Sequence, residues 1–170
     1  MTRTCDASST LVLGLGNPLM GDDGFGLAVL GQLKQDWEVD DVQLVDGGTW
    51  GMRLLPLIED SGRLLLLDAI RLGVEPGTVH FLTRDEMPRY LGHKLSPHQI
   101  DLKEVLALAE FRGRLPEVAV ALGVEPEEVA MSTTLTPVVQ AKVEEVTRRA
   151  VQLLGEWGHA CRSRSAPAYA

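Results

Sequence analysis

Short apolar runs alternate along the chain with longer stretches in which apolar residues recur every three or four positions. Leu11 to Leu15 is a run of the first kind; it ends among Gly14, Gly16 and Asn17 and predicts a buried strand that stops at a turn. Leu27, Leu30 and Leu33 follow at helical spacing as far as Lys34-Gln35-Asp36, predicting a helix that packs back on that strand. Val42 to Val45 repeats the strand pattern and is closed by Asp46-Gly47-Gly48, after which Met52, Leu55 and Ile58 mark the buried face of a second helix. Leu64 to Leu67, a leucine run ending at Asp68, suits a central strand covered on both faces, as in parallel sheets.

Val79 and Phe81 alternate with His80 and Leu82 after the turn signal Glu75-Pro76-Gly77, which predicts a fourth strand near an edge. Leu102, Val105, Leu106 and Ala109 form a helical stripe with His98 at its start and Gly113 as its stop. Val118 to Leu122 supplies a fifth strand. Thr136-Pro137 then reads as a cap followed by proline at the first helical position, opening one long helix whose stripe is Val139, Val143, Val146, Ala150, Leu153 and Trp157. Strands alternating with helices predict a single three-layer α/β/α domain over residues 11–157, built on a mostly parallel sheet of about five strands. The polar residues 1–10 are read as an N-terminal extension, and residues 158–170, with no apolar period to bury, as a disordered tail.

Charge narrows the partners. Asp and Glu number 24 against 16 Lys and Arg, and a net charge of −8 repels a phosphate backbone, so nucleic acid is not expected as a partner. Residues 1–10 lack the apolar centre of a secretory signal, and no later apolar run reaches membrane-spanning length, so a cytoplasmic protein without membrane insertion is expected. Cys5 and Cys161 lie far apart in polar terminal segments and are assigned neither a disulfide nor a metal.

In open α/β sheets ligands bind outside the carboxyl ends of the strands, and three such ends carry acids here: Asp22-Asp23, Asp46 and Asp68. A dinucleotide site is one reading, since Gly14-Leu15-Gly16-Asn17 follows the first strand and Asp46 the second. The third glycine of that fingerprint falls at Leu19, however, and two aspartates stand where a pyrophosphate needs positive potential. A cation site is the other reading, with Asp23, Asp68 and a histidine from a later loop offering two carboxylates and an imidazole. Bland roles compete with it: Asp22 or Asp23 as a helix cap, Asp68 likewise, Asp46-Gly47-Gly48-Thr49 as a tight turn with Thr49 capping a helix, and His98 as a surface residue. His80, His93 and His159 compete with His98 on composition alone.

The segment Leu-Gly-Asn-Pro-Leu-Met-Gly-Asp-Asp-Gly-Phe-Gly, residues 15–26, resembles the opening of the hydrogenase maturation endopeptidases. Asp46-Gly47-Gly48-Thr49, Leu67-Asp68-Ala69 and Lys94-Leu95-Ser96-Pro97-His98-Gln99 resemble the same family in the same order, and the likeness runs from about Leu11 to about Leu154. The resemblance implies an α/β peptidase that removes a short C-terminal extension from the precursor of a [NiFe]-hydrogenase large subunit. It implies nickel carried in by that precursor and held by Asp23, Asp68 and His98, which are also the catalytic set, with a carboxylate or the metal activating water. The first acid is Glu in some relatives, so Asp23 is the shorter variant and Asp22 the fallback ligand; His93 is set aside. Asp22, Asp46, Gly47, Gly48 and Thr49 are expected to position the substrate, and the protein to act as a monomer. Three other readings stand beside this one: a nickel-binding chaperone or sensor, a zinc peptidase with its own metal, and, more distantly, a nucleotide-binding oxidoreductase.

Overall fold

The computed structural model describes residues 9–48, 50–92 and 97–165, without the side chains of residues 97–101 and 103. Four parallel strands, β1 (Thr10–Leu15), β3 (Val42–Gly48), β4 (Arg63–Ala69) and β6 (Val118–Val124), and one antiparallel strand, β5 (Val79–Thr83), form a sheet in the order β3-β1-β4-β6-β5. The leucine-rich β4 is the middle strand and β5 an edge, as their patterns predict.

Strand periodicity builds the layers. Leu11, Leu13, Leu64, Leu66, Ala119 and Ala121 point to one face, where they bury α2 (Leu55–Glu59), α3 (Met87–Gly92) and α4 (Pro97–Phe111) through Leu55, Ile58, Tyr90, Val105 and Ala109. The alternate residues Val12, Leu65, Leu67, Val120 and Leu122 point to the other, against α1 (Phe25–Asp36), α5 (Pro137–Gln140) and α6 (Val143–Glu156). The result is the expected three-layer α/β/α architecture. No helix among the described residues is long and apolar enough to cross a membrane.

Several local expectations change. Asp46-Gly47-Gly48 does not leave the sheet: β3 runs on through it, Asp46 pairs with Gly14 and Gly48 with Leu15, and Gly47 is passed over in a bulge. Gly48 does adopt the positive φ that a glycine permits, at +40°. In the second helical segment the buried positions are Leu54, Leu55 and Ile58, while Met52 is half exposed because the chain enters α2 through a 3-10 turn, Gly51–Leu54, whose three-residue period rotates the face. The stripe after Thr136 is split between α5 and α6, and Thr136 makes no side-chain cap bond because its hydroxyl is committed elsewhere. Residues 161–163, expected to lack structure, form β7 (Cys161–Ser163), which pairs antiparallel with β2 (Trp37–Val39). Arg162 secures that ribbon by bonding Asp40 at 2.8 Å, an interaction between distant segments that hydropathy does not encode.

Candidate active site

The strand order creates one crevice. From β1 the chain passes over one face through α1 and β2 to β3, then over the opposite face through α2 to β4 on the other side of β1. Connections leaving in opposite directions keep the carboxyl ends of β1 and β4 uncovered between them. Asp23 lies in the 3-10 turn Gly21–Gly24 that follows β1, and Asp68 is the penultimate residue of β4.

Glycines let these segments close up. A methyl group at Gly16 would collide with the Asp23 carbonyl, one at Gly26 with the Leu67 carbonyl, and one at Gly123 with the Asp68 carbonyl. The start of α1 is thereby pressed onto the end of β4, which brings the turn carrying Asp23 over Asp68. Both acids are almost wholly buried. Asp23 accepts a bond from the backbone N–H of Asn17 on Oδ2 at 3.0 Å, so the turn that displays it also fixes its orientation.

Asp68 continues the parity of Leu64 and Leu66 and faces the layer of α2, α3 and α4. Its Oδ1 accepts from the N–H of Ala69 at 2.8 Å and its Oδ2 from the hydroxyl of Tyr90 at 2.7 Å. Burial pushes the Tyr90 hydroxyl well above the ordinary tyrosine range, with the charge of Asp68, its hydrogen bond and the charge of Asp23 adding to the shift. Tyr90 therefore feels both carboxylates at once, which ties the two expected acids to one locality. His98 is the second residue of α4, on the same side of the sheet as Asp68; its side chain lies outside the described residues, as do His93 and Thr49.

Asp22 behaves differently from its neighbour. Fully buried, it accepts from the N–H groups of Glu127, Glu128 and Thr136 and from the Thr136 hydroxyl, at 2.7 to 3.1 Å, and so laces the loop after β6 to the turn after β1. The N-cap positions of the turn and of α1 fall on Met20 and Gly24, so neither aspartate occupies a cap position. Asp46 is exposed at the end of β3, one strand away from Asp23's turn. His80 is paired with buried Glu125 at 3.0 Å, and His159 lies between Thr10 and the Asp40 carbonyl at 2.7 and 3.1 Å, so both of those histidines have structural partners.

Glu125 and Tyr90 escape a reading of the sequence. Glu125 directly follows β6 and accepts from the N–H groups of Leu72 and Gly73, anchoring the loop by which the chain leaves Asp68. Nothing in spacing marks either residue; the only signal for Tyr90 is a hydroxyl-bearing aromatic on the inner face of a short helix, where its O–H needs a partner. A cavity of about 540 Å³ lies between α3, α4 and the amino ends of β4 and β6, lined by Leu64, Leu106 and Ala119. It is at the opposite end of the strands from the acids.

Two carboxylates converging from separate strand ends suit a divalent cation better than an anion or a nucleotide phosphate, and an imidazole at the start of α4 would complete a borderline donor set. Among the described residues no three metal-binding side chains cluster, the side chain of His98 standing outside them.

Comparison with known proteins identifies the family and the fold. The family model HycI, hydrogenase maturation protease, matches residues 27–153. The hydrogenase expression/formation protein HupD of Bradyrhizobium diazoefficiens is 39% identical over 170 residues, spanning 98% of this chain and 88% of that protein. The hydrogenase 2 maturation protease of Escherichia coli is 37% identical over 150 residues, spanning 87% of this chain and 92% of its own length. The solved structure of the hydrogenase maturating endopeptidase HybD from E. coli superposes with a TM-score of 0.87 at 36% identity, covering 92% of this chain and 98% of that one. The chain belongs to the hydrogenase maturation protease family and is a peptidase.

Proposed function

We propose that this peptidase removes a short C-terminal extension from the nickel-loaded precursor of a [NiFe]-hydrogenase large subunit, with the nickel arriving in the substrate and serving as its recognition element. The observation that carries the reading is the placement of two buried carboxylates, Asp23 in the turn after β1 and Asp68 at the end of β4, at the crevice between those strands. In this reading Asp23, Asp68 and His98 hold the precursor's nickel beside the scissile peptide. Either a carboxylate or the metal-bound site activates water for attack on the carbonyl. Asp23, buried and fixed by Asn17, gains from the glycine-permitted approach of its turn the reach that a shorter acid lacks.

Asp46, Gly47 and Gly48 border the approach to the site from β3 and, with Thr49, help to position the extended precursor tail; the bulge at Gly47 and the exposed carboxylate of Asp46 support that part of the reading. Asp22 contributes to positioning indirectly, through the loop it anchors. The protein acts as a monomer in the cytoplasm, where the unprocessed precursor would meet it.

The test is release of the C-terminal peptide from purified precursor, read by mass. Wild type is expected to release one short peptide and Asp68→Asn none. Release by Asp68→Asn at the wild-type rate would remove this acid from the reaction.

A further inference from the structure

Tyr90 is fully buried, and its hydroxyl meets a candidate acid, Asp68, from the helical layer. Its hydroxyl takes one oxygen of Asp68 at 2.7 Å, while the N–H of Ala69 takes the other at 2.8 Å. Two donors on different oxygens, one from the backbone of β4 and one from α3, fix both the tilt and the rotation of the carboxylate plane. The donor is also neutral. An arginine or lysine in the same place would orient Asp68 equally well but would cancel the negative charge a cation needs, whereas a phenol orients the group and leaves its charge in place.

Tyr90 has a second connection. It lies on α3, eight positions before His98, so the helix that leads into the His98 segment is tied to β4 through this hydrogen bond. Met87 on the same helix is buried in the same core layer, giving α3 a packed footing on which the bond can act.

We propose that Tyr90 is a positioning residue of the peptidase, fixing the orientation of Asp68 toward the metal-bearing end of the substrate and holding α3 in register with it. This rests on the reading of Asp68 as a nickel-holding acid. Groups that hydrogen-bond metal-binding side chains commonly govern affinity or activity by 10- to 100-fold, roughly the effect expected here.

The experiment compares full-length wild type, Tyr90→Phe and Asp68→Ala in two measurements: kcat/KM for processing of nickel-loaded precursor, and the concentration of Ni²⁺ alone that raises the thermal midpoint of the protein. Tyr90→Phe keeps the ring that fills the core and removes only the oxygen, and circular dichroism fixes its folded fraction. The proposal predicts a folded Tyr90→Phe protein whose kcat/KM falls about 10- to 100-fold, chiefly in kcat, and which needs about tenfold more Ni²⁺ for the same stabilisation. Wild-type values in both measurements, or a loss of processing no larger than the loss of folded protein, would overturn it. Wild-type processing by Asp68→Ala would instead overturn the assignment of Asp68 on which the proposal rests, so the two failures are distinguishable.

Discussion

Asp22 and Thr136 lie 114 positions apart in sequence and meet in a shared hydrogen-bond set, the Thr136 N–H and hydroxyl both donating to the Asp22 carboxylate at 2.7 to 3.1 Å. With Glu127 and Glu128 donating to the same carboxylate, the two adjacent aspartates divide their work: Asp22 builds the loop, and Asp23 is presented near Asp68.

Asp22→Ala should therefore act on stability before chemistry. It leaves three backbone donors without their acceptor, and the expected loss is roughly 2–4 kcal/mol, above that of a surface aspartate. Urea denaturation measures the loss, and limited proteolysis should show earlier cutting between residues 125 and 136. A wild-type unfolding curve would mean that the loop holds its place without this tie.

The bond between Tyr90 and Asp68 has a pH signature of definite sign. Tyr90 keeps its proton in the folded protein above the ordinary tyrosine value of 10.0, chiefly because it is buried and then because Asp68 and Asp23 oppose a further negative charge. The unfolded chain releases that proton near 10, so Tyr90's contribution is fully present below pH 10 and is lost as the pH rises from there toward the higher folded-state value. Tyr90→Phe should be less stable than wild type at pH 8, by about 1–3 kcal/mol, and the gap should narrow as the pH is raised above 10. Denaturant curves of both proteins at pH 8 and pH 11 test this; a gap that stays constant or widens would contradict it.

Gly26→Ala probes the approach of α1 to β4. The added methyl has no room beside the Leu67 carbonyl, which is rigid backbone and cannot swing away. Overpacking at such a site costs roughly 1–3 kcal/mol, and relief by moving α1 outward would carry the turn bearing Asp23 away from Asp68. Processing should fall more than thermal stability does; equal, small losses in both would mean that the turn's position is not set by this contact.

The layers of the fold were readable because each strand carries one apolar period and each helix another. Leu64 to Leu67, apolar on both faces, announced the middle of a parallel sheet, and Val79 to Leu82, alternating, announced its edge. The bulge at Gly47 was not readable, because glycine after aspartate signals a turn whether or not the backbone stays paired. The β2-β7 ribbon was hidden for another reason: its bonds are held by charges such as Arg162 with Asp40, which look like an ordinary solvated tail.

The candidate site was legible in part. Acids at strand ends stood out, since a parallel sheet has ligand-binding ends and these acids sit there, but which of Asp22 and Asp23 faces the crevice depends on a loop more than 100 positions away. Tyr90 was invisible because its role depends on a hydroxyl reaching across from a helix to a strand, a contact no periodicity records.

The central claim is that the precursor's nickel is what this peptidase recognises. Purified wild-type protein should be given nickel-loaded and nickel-free large-subunit precursor side by side, and the released C-terminal peptide weighed by mass spectrometry. Release from the nickel-loaded form alone is the predicted result; equal release from both forms, or release from neither, would contradict it.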